Sequence, residues 1–115
     1  MPRWGLAVVH GRSMMPTLRS GDRLLVRHGS PPRVGGLVVV LLPASAGSVV
    51  AVKRATMRTA DGWWVERDNP AEGVDSWSVG AVPAERVIAR VLGRVWPRPS
   101  LLRRPRSDST GASPR

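Results

Sequence analysis

Glycine and proline interrupt this chain so often that a long helix has nowhere to form. Twelve Gly and 11 Pro are scattered through 115 residues, and between them apolar residues, mostly valine, come in short runs. β-Branched runs bounded by turn residues favour strands. Arg3 to His10 reads as a first strand, and Thr17 to Asp22 as a turn closing on Gly21-Asp22. Asp22 to His28 alternates, with Leu24 and Val26 on one face and Arg23 and Arg27 on the other, which predicts a half-buried strand. Ser30 to Gly36 breaks it. Gly36 to Leu42 is nearly continuous in apolar residues and reads as a strand buried on both sides. Pro43 to Ser48 reads as a loop, Val49 to Arg58 as a strand, and Asp61-Gly62 as a hairpin turn before a return strand over Trp63 to Asp68. After a loop over Asp68 to Val74, Trp77 to Val82 is predicted as a short strand. Val87 to Trp96 is open to strand or helix, and Gly93 with the β-branched residues favours strand.

From Pro97 the apolar periodicity stops. Residues 98–115, rich in Pro, Arg and Ser, cannot bury enough surface to order themselves and predict a disordered basic tail. Within it, Arg103-Arg104 reads as solvated. The expected architecture is one all-β domain over residues 1–97, and truncation after Trp96 is expected to leave it intact.

Composition removes several function classes. Cysteine is absent, so disulfides, thiolate catalysis and cysteine metal sites are excluded. The two histidines, His10 and His28, are too few for a closed metal site unless carboxylates join them, and read as strand-end polar residues. No metal or cofactor is expected. The net charge of +10 admits nucleic acid, an anionic membrane surface or an acidic partner. No basic run is interleaved with aromatic residues as in single-strand binders, so the charge reads as solubility and steering, and nucleic acid is not an expected partner. The longest apolar stretch, Leu37 to Leu42, is far short of the ~20 residues of a spanning helix. Met1 to His10 is too short for an export signal. The expectation is a soluble, cytoplasmic protein without a transmembrane anchor.

Chemistry concentrates at two residues. In Gly11-Arg12-Ser13-Met14-Met15-Pro16-Thr17-Leu18, glycine permits close approach of a backbone, and Pro16 rules out a regular helix through the serine. A serine held in such a turn can present its hydroxyl beside free backbone N–H groups, as acyl transfer requires. Of the 18 basic residues only Lys53 is lysine. Arginine cannot release its proton in a protein, whereas a desolvated lysine can. Period two places Val49, Ala51, Lys53 and Ala55 on one strand face, so small apolar neighbours should lower the pKa of the amine.

In order along the chain, SMMPTL, GDRLLV, VKR and RDNPAEGVDSWSVGAVP resemble the sequence boxes of the type I signal peptidases, the S26 family, across roughly residues 5–96. The resemblance implies a mostly β signal-peptidase-like catalytic domain. It implies a serine endopeptidase with a Ser–Lys dyad: Ser13 as nucleophile, Lys53 as general base, and the Ser13 backbone N–H as oxyanion donor. Some members carry a hydroxyl two residues before the nucleophile, where this chain has Gly11. Many carry a lysine-orienting serine at the position of Gly73, so Ser76 or packing must serve here. An arginine usually follows the Asp75-Ser76 pair. Here it is Trp77, leaving Arg54 as the expected cation for Asp75. Asp68 and Asn69 complete the supporting set.

The segments RWGLAVVHGRSM and GWWVERDNPAEGVDSW are similar to the small maturation proteases of nickel-containing superoxide dismutase. That likeness implies, as partner, a precursor protein whose N-terminal leader is removed. Three alternatives stand beside it: a self-cleaving repressor-type Ser–Lys domain, disfavoured by the short stretch before Ser13; a basic nucleic-acid-binding β-domain; and a non-catalytic β-domain that only binds a leader. Trp63 and Trp64 fall on opposite strand faces, one expected in the core and the other along a substrate groove. Pro43 to Gly47 has the small-x-small pattern signal peptidases accept, so a self-cut between Ala46 and Gly47 is an expectation to check.

Overall fold

Strand β3 (Leu37–Ala44) divides the interior in two. Leu37 and Val39 join a core with Val9, Met14, Leu18, Leu24, Val26 and Ala89. Val38, Val40 and Leu42 join a second core with Ala55, Trp63, Val65 and Val82. A strand covered on both faces needs an unbroken apolar sequence, as this one has. The computed structural model describes residues 3–102.

Among the described residues the chain forms one six-stranded antiparallel sheet around β3, an all-β architecture as the sequence predicts. The strands are β1 (Arg3–Val8), β2 (Arg23–His28), β3, β4 (Gly47–Thr59), β5 (Gly62–Glu66) and β6 (Val87–Trp96), in spatial order β1-β2-β6-β3-β4-β5. Thus Val87 to Trp96 is a strand, inserted between β2 and β3. The register opposite β3 fixes the faces of β4: Lys53 lies across from Val38 on the second core's side, and Arg54 across from Leu37 on the first.

Three expectations change. The predicted loop over 43–48 shrinks to a tight turn at Ser45 and Ala46, because Pro43 pairs with Ser48 and Ala44 with Gly47. Gly47 turns the chain at φ +111°, a conformation glycine adopts without a Cβ penalty. A bond between Ala46 and Gly47 is therefore part of a closed hairpin and is not laid out as an extended substrate. The predicted strand over 77–82 begins instead as a helical turn, α1 (Ser76–Val79). Asp75 caps it by accepting the Trp77 N–H, and Gly80 at φ +85° ends it. Only Val82 pairs, as an isolated bridge to Trp63.

The third change concerns the boundary at 97. The segment 98–102, assigned to the tail by sequence, folds back across β6: Arg94 and Ser100 exchange two backbone hydrogen bonds, and Leu102 packs against the first core. Gly93 makes this crossing possible, since a Cβ there would sit 2.8 Å from the Ser100 carbonyl oxygen. The rest of the predicted tail, including Arg103-Arg104, lies outside the described residues. The chain ended after Trp96 should consequently be less stable than the chain ended after Leu102, by about 1–2 kcal/mol for one part-buried leucine and its paired backbone. Urea unfolding of the two truncations measures the difference.

Candidate active site

Two segments far apart in sequence meet at one glycine. Gly73 has φ +101°, and a Cβ built on it would lie 2.4 Å from Ser13 Cβ and 3.4 Å from Lys53 Nζ. The serine and the lysine amine therefore converge on the same small volume. They do so in a groove of about 480 Å³, lined on one side by Ala7 to Met14 and on the other by Val49 to Lys53, with Glu72 and Gly73 at the end. Its walls are largely aliphatic, and His10, Arg12 and Glu72 add polar groups around Ser13.

The serine is delivered by the turn that leaves β1. Gly11 turns at φ +84°, Met15 N–H donates to Arg12 O, and Leu18 N–H donates to Met14 O. Met14 and Leu18 bury beneath it and anchor the turn in the first core. Among the described residues the Ser13 N–H has no intramolecular acceptor, so it is available to a ligand in the groove. The hydroxyl seen at position 11 in some type I signal peptidases is missing here. Space is open beside Gly11, but the positive φ disfavours any side chain there.

Lys53 comes from the middle of β4 and is 3% exposed. Its strand neighbours on the same face are Ala51 and Ala55, both packed in the second core. Burial lowers its pKa from the ordinary 10.5; Asp75 opposes this with its negative charge, and Arg67 adds to the lowering. No hydrogen bond to a described residue fixes the amine. Ser76, one expected orienter, instead uses its hydroxyl oxygen to accept from Val65 N–H. Packing and the field of Asp75 remain.

The loop between β5 and α1 closes over the serine. Asn69 N–H donates to Ser13 O at 2.8 Å, and Asn69 Nδ2 donates to Arg12 O at 2.9 Å. Asp68 accepts from Thr17 Oγ1 at 2.5 Å and from Arg54 at Nε and Nη2, at 2.8 and 2.7 Å. A third Arg54 nitrogen, Nη1, donates to Gly35 O. This corrects the expected pairing of Arg54 with Asp75. Adjacent strand residues face opposite ways, so Arg54 points away from the side on which Lys53 meets Asp75. The cation beside Asp75 is Arg67, at 3.5 Å.

Arg67 and Thr17 are the residues sequence reasoning missed. Arg67 directly precedes the Asp68-Asn69 pair, and the intervening Pro70 and Gly73 make a loop compact enough to bring it back to Asp75. Trp63 is the core tryptophan, as one of the two was expected to be. Trp64 does not reach the groove; it packs edge-on against Trp77, whose Nε1 donates to Glu66.

A family model for Peptidase S24-like proteins matches residues 3–95, nearly the whole described chain. The chain belongs to the Peptidase S24-like family. This Peptidase S24-like chain is also similar to mitochondrial inner membrane protease subunit 1 of Schizosaccharomyces pombe, at 33% identity over 113 residues, covering 77% of this chain and 71% of that protein. Together the matches support a signal-peptidase-like protease. Among the described residues no helix is long and apolar enough to cross a membrane.

Two outcomes follow for the Peptidase S24-like site. Gly73→Ala should lose about 1–3 kcal/mol in denaturant unfolding, from the clash with Ser13 and the positive φ. Gly73→Ser, although it restores a residue common in type I signal peptidases, should be destabilised equally. The lowered Lys53 pKa means the unfolded chain holds this proton more tightly than the folded one. Stability should then rise with pH between the folded value and 10.5. Lys53→Met should exceed wild type in melting temperature near neutrality and lose that advantage as pH approaches 10.5.

Proposed function

We propose that this chain is a serine endopeptidase whose Ser13–Lys53 dyad removes an N-terminal leader from a precursor protein. The observation that carries this reading is the meeting of Ser13 Cβ and Lys53 Nζ at Gly73, inside an aliphatic groove. Burial favours the neutral amine, which a general base requires. Lys53 takes the Ser13 hydroxyl proton as Oγ attacks the scissile carbonyl. The Ser13 N–H receives the charge that develops on the carbonyl oxygen. The tetrahedral intermediate then collapses, and the departing amine takes its proton from Lys53. An acyl-enzyme remains, with its ester on Ser13. Lys53 next deprotonates a water that attacks this ester, and the returning proton frees the serine. Catalytic hydrogen bonds commonly tighten only with substrate bound, so an unbonded hydroxyl and amine in the free protein are compatible with the mechanism.

The groove suits an extended peptide. Strand β5 pairs with β4 only from Arg54 onward, so the opposite edge of Gly47 to Lys53 has no strand partner among the described residues. A peptide laid there would add main-chain hydrogen bonds and place its side chains against Val49, Ala51 and Val52. The proposed substrate is a nickel superoxide dismutase precursor, processed in the cytoplasm. Support for that finer assignment is the likeness of the first strand, the nucleophile turn and the Trp63 to Trp77 segment to the maturation proteases of that enzyme.

Incubation of the purified chain with a leader-bearing precursor, followed by product mass, tests the reading. Cleavage should fall at least 1,000-fold in Ser13→Ala and in Lys53→Arg, with folding preserved. Activity should climb with pH through the lowered lysine pKa, since the neutral amine is the active form. Substantial turnover by Lys53→Arg would sink the dyad.

A further inference from the structure

Arg67 donates three hydrogen bonds to carbonyls of the loop over the serine, and the mechanism above leaves it without a task. Its Nε donates to Asn69 O at 3.0 Å, its Nη2 to Pro70 O at 3.1 Å, and its Nη1 to Gly73 O at 3.4 Å. The same Nη1 lies 3.5 Å from Asp75 Oδ2, and the Arg67 backbone N–H donates to that oxygen at 3.1 Å. One guanidinium thus gathers the carbonyls of a loop that has no regular secondary structure. That loop holds Asn69 on the carbonyls of Arg12 and Ser13, and Gly73 against Ser13 and Lys53.

We propose that Arg67 is the positioning residue of this site, clasping the 69–75 loop over Ser13 and balancing the charge of Asp75 opposite Lys53. The proposal rests on the Ser13–Lys53 reading. Trp77 explains why the task falls to Arg67. It stands where type I signal peptidases usually have an arginine, and its side chain is turned to Trp64 and Glu66 instead. Asp75 is 3% exposed and caps α1, so its carboxylate is held in place whether or not a cation is near. An unbalanced carboxylate there would favour the protonated lysine, the form unable to accept a proton from serine.

The two parts of the task separate by substitution. Arg67→Lys keeps the charge but not the planar fork that reaches three carbonyls. Arg67→Gln keeps a donor and loses the charge. The charged groups around the Lys53 amine are Asp75 and Arg67 from this loop, with Glu72 from the same loop and His10 and Arg12 from the serine turn lining the groove. Arg54 faces away and is engaged with Asp68.

Because Lys53 is the only lysine in the chain, carbon-13 lysine labelling gives one side-chain NMR signal whose titration reads the amine directly. In Arg67→Gln that titration should move to higher pH than in wild type. The acid limb of kcat against pH should move with it, with about a tenfold loss of kcat/KM at neutral pH that recovers as pH is raised. In Arg67→Lys the titration should stay near wild type while kcat falls about tenfold at every pH. Adding Asp75→Asn to Arg67→Gln should return the titration toward wild type, because both charges are then gone. Near-UV circular dichroism checks folding, and Asp75→Asn alone, expected to titrate lower than wild type, decides the charge part should Arg67→Gln not fold. A Lys53 titration indifferent to Arg67→Gln and to Asp75→Asn overturns the proposal, even if both variants melt earlier. Should Ser13→Ala still cleave, the protease reading fails, and the Lys53 titrations still decide whether Arg67 governs the amine.

Discussion

The ion pair between Arg54 and Asp68 holds three parts of the chain in one place. Arg54 is 3% exposed, and it meets its partner through two nitrogens, a geometry that offsets much of the desolvation of a buried charge. Its remaining bond goes to Gly35 O, just before β3. Asp68 in turn accepts from Thr17, which lies in the serine turn. One strand, the turn that carries the serine and the loop that covers it thereby share a single charged junction. Lys53 is the neighbouring residue on that strand, so whatever fixes Arg54 fixes the backbone that presents the amine. The poorly solvated lysine thus sits beside an arginine each of whose three guanidinium nitrogens donates a hydrogen bond.

Much of the fold was legible because period-two patterning and punctuation agree. Leu37 to Leu42 reads as a strand covered on both faces and is one, and Gly21 and Gly62 mark reversals that the structure confirms with positive φ values. What escaped was decided by groups whose partners are distant or local in unexpected ways. Asp75 turned a predicted strand into a helical turn by accepting one backbone N–H, a preference invisible to hydrophobic alternation. Residues 98–102 carry no periodicity, yet one leucine and a glycine opposite them suffice to dock the segment.

The same contrast runs through the site. Ser13 and Lys53 stood out by sequence because each is chemically unusual in its surroundings, and the structure brings them to one point. The supporting pairs did not follow from composition. Arg54 and Arg67 are equally charged, and assigning each to Asp68 or Asp75 needs the strand register and the closure of a loop. Gly73 illustrates the limit best. In sequence it is a missing hydroxyl; in three dimensions it is a place where no side-chain atom fits, because Ser13 already occupies the volume.

Strand β4 has one further implication. Among the described residues its first seven are hydrogen-bonded to a strand on one side only, and doubly paired sheet begins at Arg54, immediately after the amine. A peptide that extends the sheet along the free edge must stop where β5 takes over. In the proposed peptidase the strand would act as a ruler: sheet pairing would count residues along the guest, and Lys53 would mark where counting ends. Selection of the scissile bond on such a surface depends on register as well as on which side chains the groove accepts, so a leader shifted by two residues would present the same face to the pocket walls and a different bond to the serine.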